Sequence, residues 1–389
     1  MSCRPVGVAT AWLHRMQTMQ DGDIPGLSHL VLWAAFGLAV LFGAIAQRTH
    51  FCTMGAVSDI INIGDWTRMR MWAMAMGVAI LGFNAMAALG WVEASKSIYA
   101  GSRFIWLSAL VGGAMFGFGM VLASGCGSKT LVRVGGGNLK SLVVFVVLGV
   151  AAYATLRGIT AVARVVSVDT VFVAVPAGQD LPSLLAAMTG ASRSTLAAGL
   201  GLGFGGLLLA WALARPEGRT PDVLLAGPGI GALVVALWWV SGRLGHVAED
   251  PNTLQEAFVA TNSQRMESFT FVAPIAYTID WLILFSDKSK LLTVGIVTTA
   301  GVVLGSALYC VATRSVRWEG FRDAQDTADH LIGAVLMGVG GVTALGCTIG
   351  QGLSGISTLS QTSFVALGAI IAGCVAGLRF QIWRVERAA

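Results

Sequence analysis

The chain has 389 residues, of which 55% are hydrophobic and only 12% are charged, whereas a soluble domain is roughly one quarter Asp, Glu, Lys and Arg. This balance excludes an ordinary soluble protein. The net charge of +5 is spread over connecting segments, without the clustered basic face that nucleic-acid binding needs. Because the apolar stretches run for about 20 residues rather than in short alternating segments, we predict an all-α integral membrane protein surrounded by lipid.

Nine apolar windows are long enough to cross a hydrocarbon core of about 30 Å. They lie near residues 28–47, 69–91, 104–123, 140–157, 195–214, 223–242, 291–312, 330–346 and 362–380. Four shorter apolar segments are helical in pattern but too short to cross, namely 51–62, 126–134, 269–285 and 347–358. We predict that these four are re-entrant, because irregular backbone at membrane depth must be buried in protein or line a cavity.

A shift of the chain by 221 residues reveals an internal repeat at the third and eighth windows. Residues 112–126 overlie residues 333–347, with seven identical positions that include the final Gly-Cys pair. An odd and an even crossing run in opposite directions, so the repeat is inverted, as in many transporters. We predict one polytopic domain in a 4+1+4 order, with halves 28–157 and 223–380 joined by the connector span 195–214.

Basic residues predict the orientation in the inner membrane, because cytoplasmic loops retain Lys and Arg. Fourteen of the 25 basic residues fall on the side that the first window reaches. Most of the others lie in the long connections 158–194 and 243–290, which count for less in this rule. The N-terminus is therefore predicted to be periplasmic and the C-terminus cytoplasmic, and the mixed character of the first 25 residues indicates no cleaved signal peptide.

Three of the six cysteines stand at or near the start of a short segment: Cys52, Cys126 and Cys347. The start of a helix offers unpaired N–H groups and the positive end of the helix dipole, so an anion is favoured there. A thiol adds a soft sulfur and a weak donor, which suits a sulfur-containing anion and permits its release. The same surroundings also favour a reactive thiolate, so the pattern allows both transport and sulfur-transfer chemistry.

The internal repeat supports a functional role for two of these three cysteines and not for the third. Cys126 and Cys347 are repeat equivalents and follow Gly125 and Gly346, whereas the equivalent of Cys52 is near Ala273. The ordinary role of a membrane cysteine is that of a small buried apolar residue, and we assign a structural or incidental role to Cys3, Cys310 and Cys374. No cysteine spacing is typical of a metal, redox or iron–sulfur site, so no metal or cofactor is predicted.

Lys129 follows Cys126 by three positions on the same helical face, and Arg133 follows it by seven. Two interpretations remain open for both: attraction of an anion at the cytoplasmic end, or the topological charge of a cytoplasmic loop. For Arg48 and His50, beside Cys52, the topological interpretation is favoured.

The segment that contains Lys129 is not a phosphate-binding loop, although Lys129-Thr130 superficially resembles the end of one. The motif requires glycine where this chain has Ala123 and Ser128. Transport driven by an ATPase of this chain is therefore not predicted. Asn138, after three glycines, is predicted to cap the next helix.

Three sequence stretches resemble the YeeE/YedE family of sulfur-transport membrane proteins. They are Arg48-Thr-His-Phe-Cys52-Thr-Met-Gly-Ala56, Gly125-Cys126 with Leu131-Val-Arg-Val-Gly-Gly-Gly-Asn138, and Leu345-Gly-Cys347-Thr-Ile-Gly-Gln-Gly352. The resemblance implies uptake of thiosulfate, handed along a pore between Cys52, Cys126 and Cys347. It also implies a small cytosolic sulfur-carrier protein resembling TusA as a separate partner.

We therefore predict a transporter, not an enzyme, for thiosulfate or a related small sulfur-containing anion. Its substrate-binding residues are predicted to be Cys52, Cys126, Cys347, Gly125, Gly346 and Lys129, and no catalytic residue is assigned. The alternative is a membrane thiol enzyme that transfers sulfane sulfur or electrons. A structural membrane subunit is a third reading, in which all cysteines would be dispensable.

Overall fold

The computed structural model describes residues 24–250 and 254–388, and this part of the chain is mostly helical. Cys3 lies outside the described residues. The helices are α1 (Ile24–Thr49), α2 (Thr53–Ile63), α3 (Thr67–Ala88), α4 (Trp106–Leu122), α5 (Gly127–Gly135), α6 (Leu139–Arg157), α7 (Ile159–Val166), α8 (Leu181–Thr189), α9 (Arg193–Leu213), α10 (Pro221–Trp239), α11 (Val272–Ile283), α12 (Val294–Ala312), α13 (Ala324–Thr343), α14 (348–357) and α15 (Gln361–Ala388). A π-helical turn, Val240–Leu244, extends α10, and another, Gly350–Gly355, forms most of α14.

Two small antiparallel sheets hold the long connections in place. Strand β1 (Arg103–Phe104) pairs with β2 (Val173–Ala174), and β3 (His246–Val247) pairs with β4 (Ala257–Phe258). Helices α7 and α8 lie within the connection that follows α6, for which the sequence pattern predicted no element.

Each predicted window, long or short, coincides with a helix. Among the described residues, eight helices are long and apolar enough to cross a membrane, which confirms a multi-pass α-helical membrane protein. Helix α13 has 20 residues but is not one of the eight, because Asp326, Asp329 and His330 make its first turns polar. The ninth crossing and the re-entrant character of the short helices stay predictions.

The ends of several helices are fixed by polar side chains. Asn138 accepts a hydrogen bond from the backbone N–H of Ser141 at 2.8 Å, which confirms its predicted role as the cap of α6. Asp323 caps α13 in the same way through the N–H of Asp326 at 2.7 Å. These caps satisfy amides that would otherwise lack a partner at the start of each helix.

Helix α4 packs between α13 and α15, and its contact with α13 depends on glycine. A Cβ atom on Gly112 would lie 2.7 Å from the carbonyl oxygen of Gly340, and one on Gly340 would lie 2.6 Å from the carbonyl oxygen of Gly112. Gly119 and Gly333 approach each other reciprocally in the same manner. From one glycine pair to the next, the residue number rises in α4 and falls in α13, so the two helices run antiparallel.

The remaining long helices pack in similarly close pairs. Helix α1 packs on α12, α3 packs on both α9 and α10, and α6 packs on both α13 and α11. Small residues permit this close backbone approach, which gives helices in lipid the packing contacts that replace hydrophobic attraction.

We predict that Gly112→Val destabilises the protein, because the new Cβ would lie 2.5 Å from the backbone nitrogen of Ala344. Overpacking of a close contact costs about 1–3 kcal/mol, so the melting temperature of the detergent-solubilised protein should fall. Gly199→Val is the matched control, since a Cβ at Gly199 meets nothing within 4 Å. Equal melting temperatures for the two variants would contradict this packing.

Candidate functional site

Three long helices, α1, α4 and α13, end in the same kind of turn. The residue that leaves the helix has a left-handed backbone, with φ of 53° at His50, 57° at Ser124 and 57° at Leu345. The next residue donates its N–H to the carbonyl five positions earlier, at 3.2, 2.8 and 2.8 Å respectively. This arrangement is a Schellman motif, in which glycine is the usual left-handed residue. The residue that follows each motif is one of the three predicted cysteines.

Each of these cysteines begins a short helix. Cys52 is the N-cap of α2, and its sulfur accepts a hydrogen bond from the N–H of Gly55 at 3.4 Å. Cys347 stands in the same relation to α14, where its sulfur accepts from the N–H of Gly350 at 3.4 Å. Cys126 is the N-cap of α5 but makes no such cap bond, and its sulfur instead lies 3.2 Å from the hydroxyl of Ser128.

The structure brings the three thiols into one buried region. Relative exposure is 7% for Cys52, 1% for Cys126 and 0% for Cys347. The thiol of Cys126 has both of the other thiols, those of Cys52 and Cys347, as electrostatic neighbours. Cys126 is therefore the middle member of the cluster. Cys52 has the same local structure as the other two, although the repeat did not predict it.

Positive charge lies on one side of this cluster. Lys129 is half-buried, and its electrostatic neighbours are the thiols of Cys52 and Cys126 and the guanidinium groups of Arg68 and Arg133. Arg133 donates to the carbonyl oxygen of Ser124 at 2.7 Å, in the turn before Cys126. Lys129 therefore lies close enough to act on a charge held at two of the thiols.

The other residues beside the cysteines have partners within the protein. Arg68 pairs with Asp59 at 3.3 Å, and Arg48 lies 3.9 Å from Asp222. Gly125 has no side chain, and a Cβ there would lie 3.1 Å from the Cγ of Lys129. At Gly346 a Cβ would lie 3.2 Å from the Cγ of Gln351. The two glycines thus make room for neighbouring side chains, and substrate binding by them stays a prediction.

Two further cysteines lie within long helices. The side chain of Gln47 donates to the sulfur of Cys310 at 3.1 Å, which ties α1 to α12. Cys374 packs in α15, where its backbone nitrogen lies close to Gly117 of α4. Both are buried, as expected of structural cysteines. Within residues 24–250 and 254–388, no group of three or more His, Cys, Asp or Glu side chains is arranged to hold a metal ion.

The sequence analysis did not identify two threonines beside the cysteines. Thr53 and Thr348 are 4% and 0% exposed, and within the described residues their hydroxyl oxygens make no hydrogen bond of normal geometry. Each directly follows a cysteine of interest, and this repeated Cys-Thr pair is the signal that was available in the sequence. Buried polar groups nearly always have a partner, so these two are exceptions that require an explanation.

The sequence of this chain is similar to those of known proteins. Residues 48–376 match the family model described as "Sulphur transport". The chain belongs to this family. The match spans all three cysteines and all but the first and last parts of the described chain, and it confirms the resemblance drawn from the motifs.

Several curated proteins are similar to this family member. Over 345 residues it is 24% identical to the thiosulfate transporter TsuA of Escherichia coli strain K12, a match that covers 86% of this chain and 90% of that protein. It is also 24% identical over 352 residues to the thiosulfate transporter TsuA of Spirochaeta thermophila, covering 86% of this chain and 94% of that protein. A shorter match of 101 residues, 33% identical, covers 25% of this chain and 23% of the probable transporter YedE of Salmonella typhimurium.

We predict that a short thiol-to-thiol cross-linker joins Cys52 to Cys126 in a variant whose other four cysteines are serine. The two thiols are neighbours in the buried region, so a short reagent should reach both. The cross-link would be detected as a linked peptide pair by mass spectrometry of the membrane fraction. Variants that also lack either Cys52 or Cys126 serve as controls, and a double-cysteine protein that gives no linked peptides would contradict the cluster.

Proposed function

We propose that this protein transports thiosulfate or a related small sulfur-containing anion across the bacterial inner membrane, along a path lined by Cys52, Cys126 and Cys347. The observation that carries the proposal is the convergence of three buried thiols, each at the start of a short helix. The relatives that are named thiosulfate transporters support the substrate class.

The physical basis of the path is weak attraction from several groups. One helix N-terminus stabilises an anion by about 0.3–1 kcal/mol, and by up to about 2 kcal/mol when partly buried. Three such ends offset part of the cost of taking an anion out of water, and the thiols add weak polarisable contacts. Weak contacts at successive positions also allow the ion to leave, which transport requires. Because the thiols are almost fully buried, neighbouring side chains must move when the ion passes.

The topology that we propose has nine crossings, with α13 as the eighth in order, and four re-entrant helices, α2, α5, α11 and α14. The relative directions of the packed helices support this topology. Contacts of Gly113 and Gly117 in α4 with Ala366 and Ile370 indicate that α4 runs parallel to α15, whereas it runs antiparallel to α13. These directions agree with α4, α13 and α15 as third, eighth and ninth crossings.

We further propose that residues 28–157 and 223–380 are inverted halves around the connector span 195–214. The reciprocal contact between α4 and α13 supports this arrangement, because a twofold axis between the two helices would exchange its two glycine pairs. The identical φ of 57° at the repeat equivalents Ser124 and Leu345 supports it as well.

On this topology, with the N-terminus in the periplasm, Cys347 follows a helix that ends toward the periplasm. Cys52 and Cys126 follow helices that end toward the cytoplasm, which is also where Lys129 lies. Since Cys126 interacts with both of the others, the proposed order of contact during uptake is Cys347, Cys126 and then Cys52. A separate TusA-like carrier protein on the cytoplasmic side, which the family resemblance implies, stays a prediction.

We predict that Cys126→Ala combined with Cys347→Ala abolishes uptake of ³⁵S-labelled thiosulfate by cells that have no other route. Both thiols belong to the proposed path, and Cys126 links the other two. Cys310→Ala combined with Cys374→Ala is the matched control, since both thiols lie within long helices, and it should transport normally at equal membrane abundance.

Uptake at the wild-type rate by the first double variant would exclude the cysteine path. The chemical form of the recovered label separates transport from the alternative, a thiol enzyme. Transport returns unchanged thiosulfate from vesicles, whereas sulfur transfer would leave a persulfide on Cys126 that intact-protein mass spectrometry detects.

We predict that Lys129→Gln reduces thiosulfate uptake by roughly tenfold, because one charge interaction at a partly buried site is worth about 1–2 kcal/mol. Lys129→Arg keeps the charge and should retain most of the uptake. Arg314→Gln is the control for a general loss of cytoplasmic charge, since Arg314 is an exposed loop residue after α12. If Lys129→Gln transports as well as Arg314→Gln, the charge of Lys129 serves only to orient the protein in the membrane.

A further inference from the structure

Thr348 is the first residue of α14 and lies between two of the thiols. It directly follows Cys347 in the chain, and its side chain approaches the thiol of Cys126, which stands at the start of α5. The approach does not amount to a hydrogen bond of normal geometry, and the hydroxyl has no other partner among the described residues. Thr348 is therefore a completely buried donor at the step between two proposed contact points.

Several other buried threonines in the neighbouring helices have a partner for the hydroxyl, although Thr53 shares the condition of Thr348. The hydroxyl of Thr343 donates to the carbonyl oxygen of Val339 at 2.8 Å, and that of Thr358 donates to the carbonyl oxygen of Gly355 at 2.8 Å. Threonine in a helix commonly satisfies its hydroxyl in this way. The hydroxyl of Thr348 lies at the start of its helix, where no carbonyl of an earlier helical turn is available.

A buried hydroxyl without a hydrogen-bond partner destabilises a folded protein, since folding removes its hydrogen bonds to water. Such a group is explained when a ligand supplies the missing partner. A ligand that accepts hydrogen bonds fits this position, because the hydroxyl can donate and lies beside the amides at the start of α14, which only donate. An oxygen-bearing anion is the acceptor that fits a site with this composition.

We propose that the hydroxyl of Thr348 donates a hydrogen bond to an oxygen of the transported sulfur anion as the anion passes between Cys347 and Cys126. The inference rests on the proposed transport function and adds the residue that recognises the oxygen atoms. The thiols contact the soft sulfur end of the anion, and the hydroxyl contacts the hard, charged oxygen end. Together they bind both ends of a thiosulfate-like molecule.

The test compares Thr348→Val, which keeps the shape but removes the hydroxyl, with Thr348→Ser, which keeps the hydroxyl. A hydrogen bond to a charged group contributes about one order of magnitude in affinity, so Thr348→Val should raise the KM for ³⁵S-thiosulfate about tenfold. Thr348→Ser should stay near the wild-type KM. Thr299→Val is the matched control, because Thr299 is equally buried but already donates to the carbonyl oxygen of Gly295 at 3.0 Å.

A second readout separates recognition from a structural role. Without ligand, detergent-solubilised Thr348→Val should melt no lower than the wild type, since it loses a polar group that had no partner. Stabilisation by added thiosulfate should require about tenfold more ligand, because the melting shift follows the ratio of ligand concentration to Kd. If Thr348→Val does not accumulate in membranes, Thr348→Ala provides the same two measurements.

Two results would overturn the inference while leaving the transport proposal intact. One is a wild-type KM in Thr348→Val, and the other is an equal rise in KM for Thr348→Val and Thr348→Ser, which would assign the effect to shape. Failure of the wild-type protein itself to take up thiosulfate would reject the proposed function instead.

Discussion

Every feature of the candidate site depends on ending a helix inside the protein. A helix that stops inside a protein leaves carbonyls at its last turn and amides at the start of the next helix, and buried groups of this kind cannot bond to water. The Schellman motifs at His50, Ser124 and Leu345 satisfy part of the first set. The sulfur atoms of Cys52 and Cys347 satisfy one amide each, and the remaining amides leave a positive environment at each thiol.

Close helix packing is what makes these broken helices possible. The turns must be covered by protein on all sides, and the close contact between α4 and α13 packs each turn against the other helix, with Ala344 beside Gly112 and Ala123 beside Gly333. The left-handed backbone at two non-glycine residues, Ser124 and Leu345, carries a cost of about 1–2 kcal/mol each. The surrounding contacts have to compensate for that cost, so packing and site geometry are inseparable here.

The chemistry of the site combines groups that are each too weak to trap an ion. On the path that we propose, helix ends, thiols and the hydroxyl of Thr348 would attract an anion without a fixed charge in its way, and Lys129 would add a charge on one side only. A carboxylate or metal at this position would bind or repel too strongly for repeated passage. The hydroxyl of Thr348 has no hydrogen bond of normal geometry among the described residues, and this is the observation on which its proposed contact with the anion rests.

The sequence by itself determined the long helices and the four predicted short ones, because the length and hydropathy of a segment are local properties that decide whether it lies in lipid. It also identified Cys126 and Cys347, since the repeat and the Gly-Cys pairs are visible without a structure. Only the tertiary structure decided that Cys52 shares their turn, because the left-handed residue there is His50 and not the glycine that would mark such a turn in the sequence. The meeting of Cys52 with Cys126, and the approach of Thr348 to Cys126, likewise depend on segments that are distant in the chain. Contacts of that kind are set by how helices pack together, which no local pattern encodes.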